Sequence, residues 1–213
     1  MGGWLFPFLT ILYAGLLAAA LGRLRRRPTL SGGLMAAFFA ALATDALVIA
    51  LGETMGEGDA LRGWSWVRLF LRAIGFPLAV LAAFECVRRT GLDWAARRGR
   101  FAAGSAALAA LGIYPLVASA GLVAERFAGT LRYKPLGIAG PTLAAILAMT
   151  LLITFGMILF RRGGPPWPAA AATIMFFGSI FPPSLVGPIT ASITEAIFAA
   201  SLLLADIERN EGG

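Results

Sequence analysis

The chain has 213 residues, is 59% hydrophobic and only 14% charged, and carries a net charge of +7 with mean hydropathy +0.81. Soluble domains hold roughly 25% charged residues, so this composition implies an integral membrane protein, and its basicity is not a nucleic-acid signal. There is no histidine and one cysteine, Cys86, which excludes His-ligated haem, His-bearing zinc or di-iron sites, a Ser-His-Asp triad, an intrachain disulfide and a thiolate cluster.

Seven apolar segments follow in order, each near the roughly 20 residues that a bilayer requires. They run at about 4–22, 29–51, 64–87, 101–122, 137–160, 167–186 and 188–207, and together make one transmembrane domain over 1–213. No positive charge precedes the first segment, so it reads as a retained span rather than a secretory signal. Segment one is stopped by Arg23, Arg25, Arg26, Arg27 and Pro28. Segment two carries Asp45 and a small-residue face of Ala36, Ala37, Ala40 and Ala41, suited to close helix contact. Segment three carries Arg68, Arg72 and Pro77, and near its end Glu85 stands three and four residues before Arg88 and Arg89, the spacing of a local surface pair. Between segments four and five, Glu125 to Pro135 reads as a solvated loop. In segment six, Pro182-Pro183 removes two backbone donors, so regular helix should falter near Phe181.

The arginine runs set the direction. After segments one, three and five the loops hold four, five and two arginines, whereas the intervening loops mix both signs, Glu53, Glu57, Asp59 and Arg62 in one and Glu125, Arg126, Arg132 and Lys134 in the other. By the positive-inside rule the N-terminus is outside and the C-terminus cytoplasmic, and the placement of Trp4, Trp64, Trp66, Trp94 and Trp167 agrees. The expected fold is an all-α, seven-helix bundle in a cell (inner) membrane. The arginine clusters would meet anionic lipid on the cytoplasmic side.

Charged residues inside spans point to a site. A charge at the centre of a span costs roughly 2.5–3.5 kcal/mol on insertion scales, so it should face a partner or water. Arg68 and Arg72 are four residues apart and share a helix face. Arg68 is close enough to the segment's start to reach the interface, while Arg72 lies on the order of 10 Å below the surface. Asp45 and Glu195 fall at a similar depth, as do Thr44, Tyr114, Ser192 and Thr194. The candidate pocket is therefore Asp45, Arg68, Arg72, Tyr114, Ser192 and Glu195, in the outer half of the bundle.

Seven spans with an external N-terminus resemble the microbial rhodopsins. In that family the third helix enters from outside with an Arg followed by Pro-Leu, at the spacing of Arg68 and Pro77-Leu78 here. The resemblance implies a place for Arg68 in an outer proton-release region and for Glu195 as the acidic residue of helix seven. The helix-three carboxylates are replaced by Leu71 and Ala82, and Ala199 stands near the position of the retinal lysine. A retinal Schiff base cannot form on that helix, and neither cofactor nor metal is expected.

The leading expectation is a non-enzymatic protein whose polar pocket binds or moves a small ligand, ion or proton. A membrane-embedded enzyme acting on lipid is the second class, with Asp45 or Glu195 as acid/base and the arginines holding phosphate. The third is a homo-oligomer or a subunit of a larger membrane complex, in which the charges hold helices together.

Overall fold

The computed structural model describes residues 2–119, 121–127, 129–137, 142–180 and 189–211. Among them, each predicted segment contains a helix: α1 (Gly2–Arg26), α2 (Leu30–Met55), α3 (Asp59–Arg88), α4 (Arg98–Ala118), α5 (Leu143–Arg161), α6 (Trp167–Ile180) and α7 (Ile189–Glu211). Pro182-Pro183 lies outside the described residues. Among the described residues, six helices, all but α6, are long and apolar enough to cross a membrane. Phe8, Ile11, Leu147 and Phe177 stand on outward faces, a surface that is costly in water and at ease in lipid. This is a multi-pass membrane protein.

Local chemistry sets the helix ends. Arg23, Arg25 and Arg26 occupy the last turn of α1, where positive charge complements the helix dipole. Thr29 caps α2 by accepting from the Gly32 amide at 3.1 Å, and Thr142 caps α5 by accepting from Ala145 at 3.3 Å. α3 begins five residues before the expected Trp64, because Asp59 supplies the negative charge that a helix start favours.

Each helix packs on its neighbour, and α7 returns to α1, so α1, α2, α3, α5, α6 and α7 close a ring. α4 stands outside it against α3 and α5. Aromatic and sulfur side chains fill the interior, among them Met35, Phe38, Phe39, Met149, Met175 and Phe198. Close approach depends on glycine: a Cβ at Gly156 of α5 would lie 2.6 Å from the backbone of Ala169 in α6.

The expectation of an all-helical chain is corrected between α4 and α5. Leu122, assigned to the end of segment four, instead opens strand β1 (Leu122–Phe127), which pairs antiparallel with β2 (Thr130–Pro135). The 125–134 segment is therefore an ordered hairpin. Its alternation explains the outcome, since Leu131 and Tyr133 are buried on one face while the intervening Arg132 is only half-buried. With Leu122 they form a small apolar cluster with Val48 of α2 and Leu61 of α3. Arg126 reaches Glu57 at 3.3 Å and ties the hairpin to the α2–α3 turn. The bundle thus has a hairpin end and an arginine-rich end.

Candidate functional site

Four charged side chains meet inside the hairpin end. Asp45 is buried on α2, and its two carboxylate oxygens are taken separately. Arg68 Nη1 donates to Oδ1 and Arg72 Nη1 to Oδ2, each at 2.9 Å. Arg72 Nη2 then donates to Glu195 Oε1 on α7, which is also buried. Arg72 therefore joins α2 and α7 from its place on α3. The four charges sum to zero, as a cluster in a low-dielectric interior requires.

The two arginines exchange the roles that depth alone assigned them. Arg68 does not reach the interface: its side chain is 5% exposed, against 30% for Arg72. The cause lies in the two neighbouring elements. Because α3 starts at Asp59, Arg68 is about 14 Å along the helix at 1.5 Å per residue. The hairpin then covers it, and Arg68 Nη2 donates to the Tyr133 carbonyl at 2.7 Å. Arg62 stands over the Tyr133 ring, 5.6 Å from its centroid, and helps hold that strand in place.

Ser192 contributes through its backbone. The buried Tyr13 of α1 donates its hydroxyl to the Ser192 carbonyl at 3.0 Å, one turn before Glu195. Thr44 and Thr194 return their hydroxyls to their own helices, at Ala40 and at Thr190 and Ala191. Tyr114 is not part of the site. It is 71% exposed on α4, outside the ring. Gly112 faces α3, where a Cβ would lie 3.4 Å from the Ala73 carbonyl, so Tyr114, about 200° further round the helix, points away. Depth fixed its level and left its rotation open.

Two residues of this region escape sequence reasoning. Tyr13 is the lone hydroxyl-bearing aromatic of segment one, and a buried tyrosine in a membrane needs an acceptor, which is the available signal. Tyr133 acts through a carbonyl, for which no side-chain signal exists. Two buried polar atoms, Ser65 Oγ and Arg68 Nε, have no hydrogen-bond partner among the described residues. They sit one turn apart on α3, beside the ion pairs.

A second polar cluster occupies the arginine-rich end. Asp206 near the end of α7 is buried and accepts from Ser31 Oγ at 3.1 Å and Arg89 Nη1 at 3.4 Å, with Arg23 at 3.7 Å. Arg89 also donates to Ser31 Oγ at 2.7 Å. The expected surface pair is thus corrected: Glu85 is buried and pairs with Arg88 at 2.9 Å, and Arg89 reaches across to α2 and α7.

Comparison with known proteins yields no match to this chain, either among protein-family models or among curated sequences.

Proposed function

We propose that the protein binds or moves a small polar solute, an ion or a proton, at the Asp45–Arg68–Arg72–Glu195 centre, as a carrier or receptor of a cell inner membrane. The observation that carries this reading is Arg72, which holds buried carboxylates on two different helices while keeping 30% of its side chain accessible. A structural lock is best sealed, whereas an exchange site needs a route in. Protonation of Glu195, or arrival of an anion at Arg72, replaces one ion pair and loosens α7 from α3 without disturbing Asp45 and Arg68. Binding then shifts the helix arrangement by its differential affinity for the two pairings.

Ser65 Oγ and Arg68 Nε support the same reading. Buried polar atoms without protein partners are where a solute or water gains most from a hydrogen bond. In this reading the hairpin end faces outward, the arginine runs face the cytoplasm, and the frame resembles that of the microbial rhodopsins without their chromophore.

The test is solute flux into sealed vesicles containing the purified protein, using protons, alkali cations, chloride and small carboxylates. Flux of at least one of these above protein-free vesicles is the expected result. If none moves, and none shifts the melting temperature of the detergent-solubilised protein, the reading fails.

A further inference from the structure

At the arginine-rich end, the last turn of α1 and the first turn of α2 enclose a cavity of about 280 Å³ together with the end of α7. Among the described residues, Arg23 and Arg26 line it with Arg27, Thr29 and Asp206, so guanidiniums outnumber carboxylates in the described lining. That carboxylate is already shared with Arg89 and Ser31. Arg23 approaches Asp206 only at 3.5 Å to its carbonyl and 3.7 Å to Oδ2. Tight charge-assisted pairs close to about 2.7–2.9 Å, so Arg23 is not locked there. The start of α2 adds the positive end of a 26-residue helix. Leu24, Met35 and Leu203 give the cavity an apolar wall beside its charged one.

We propose that this cavity binds a phosphate group, and that the phosphate is the headgroup of an anionic membrane lipid. The size is just below the range of about 300–1,000 Å³ for whole small-molecule pockets, which suits a headgroup whose chains remain in the bilayer. Basic pockets between spanning helices near the membrane surface recognise phosphate headgroups through the same two walls, arginines for the charge and apolar side chains for the glycerol region. The proposal is independent of the solute reading of the hairpin end.

The experiment uses the full chain in neutral detergent and measures lipid adducts by native mass spectrometry, alongside melting temperature. Phosphatidylglycerol, phosphatidylcholine and inorganic phosphate are added in separate arms. Phosphatidylglycerol should bind and raise the melting temperature, phosphatidylcholine should do neither, and inorganic phosphate at matched concentration should have little effect. Arg26→Gln, an exposed position where folding is safe, should weaken phosphatidylglycerol binding roughly fivefold, and Arg23→Gln should weaken it by at least as much. Arg25→Gln is the control, because Arg25 belongs to the same run but does not line the cavity. An inorganic-phosphate effect that matches the lipid's, and is lost in Arg26→Gln, keeps the phosphate site and assigns it to a soluble ligand. Equal loss in Arg25→Gln and Arg26→Gln, or equal binding of the two lipids, overturns the proposal in favour of diffuse attraction or none.

Discussion

Arg72 bridges two helices, and the consequence of removing it follows from which charges it leaves behind. In Arg72→Leu, Glu195 loses its guanidinium while Asp45 keeps Arg68. Breaking a buried pair from one side typically costs about 3–5 kcal/mol. At about 2–4 °C per kcal/mol for a chain of this size, the melting temperature in detergent should fall by on the order of 10 °C. Adding Glu195→Gln should recover part of that loss, and a double variant no more stable than Arg72→Leu would contradict the pairing. Arg68→Leu should be at least as damaging, since it strips Asp45 of one partner and the Tyr133 carbonyl of its donor. Sequence depth indicates the opposite order for the two arginines. The level of Asp45, Arg72 and Glu195 is legible because charges inside spans must turn inward and rise per residue sets their height. Which guanidinium is sealed is not legible, because the seal is a hairpin whose docking is tertiary. Asp206 is missed for a related reason: close to a polar tail, nothing local marks it as buried.

The hairpin is the element on which the site's cover depends. It rests on α2 at Gly52, where an added Cβ would lie 1.8 Å from the Leu131 carbonyl. Gly52→Ala should therefore lift β2 and cost roughly 1–3 kcal/mol as overpacking. Faster amide exchange at Leu131 and Tyr133 would show this, and unchanged exchange would contradict it. The hairpin's outer face has its own charge chemistry. Glu125 accepts from Arg132 at 2.9 Å and from Lys134. Partial burial alone would raise its pKa, but those two hydrogen bonds and positive charges outweigh it and hold the carboxyl below its ordinary 4.5. A depressed folded value means stability that is present above pH 4.5 and lost as pH falls through the folded pKa. Amide protection in β1 and β2, taken relative to the intrinsic exchange rate at each pH, should fall across that acidic window in wild type and not in Glu125→Gln. The strands were readable in principle from the alternation around Arg132, but an apolar run followed by charges also reads as a span and its loop. The helices themselves were legible because apolar length is a strong signal. α4's place outside the ring was not, since every face of that segment is small or apolar.

The whole molecule combines a charge-neutral centre at one end with a cation-rich collar at the other. If the collar is cytoplasmic, as the arginine asymmetry predicts, a cysteine replacing Asp93 should resist an impermeant thiol reagent in intact cells and react after lysis. Labelling in intact cells would reverse the orientation. The chain's lone lysine, Lys134, lies on β2, so retinal given to the purified protein should leave no borohydride-trapped adduct on α7. Such an adduct would contradict the chromophore-free reading. The claim that the centre exchanges solute, rather than merely fixing the packing, is tested most directly by removing Arg72 and Glu195 together. Arg72→Gln with Glu195→Gln keeps the Asp45–Arg68 pair and the net charge, so the protein should melt within a few degrees of wild type. Flux of the transported solute into sealed vesicles should then fall to the level of protein-free vesicles. Flux equal to wild type in that folded double variant would show that the centre is a structural lock and contradict the account.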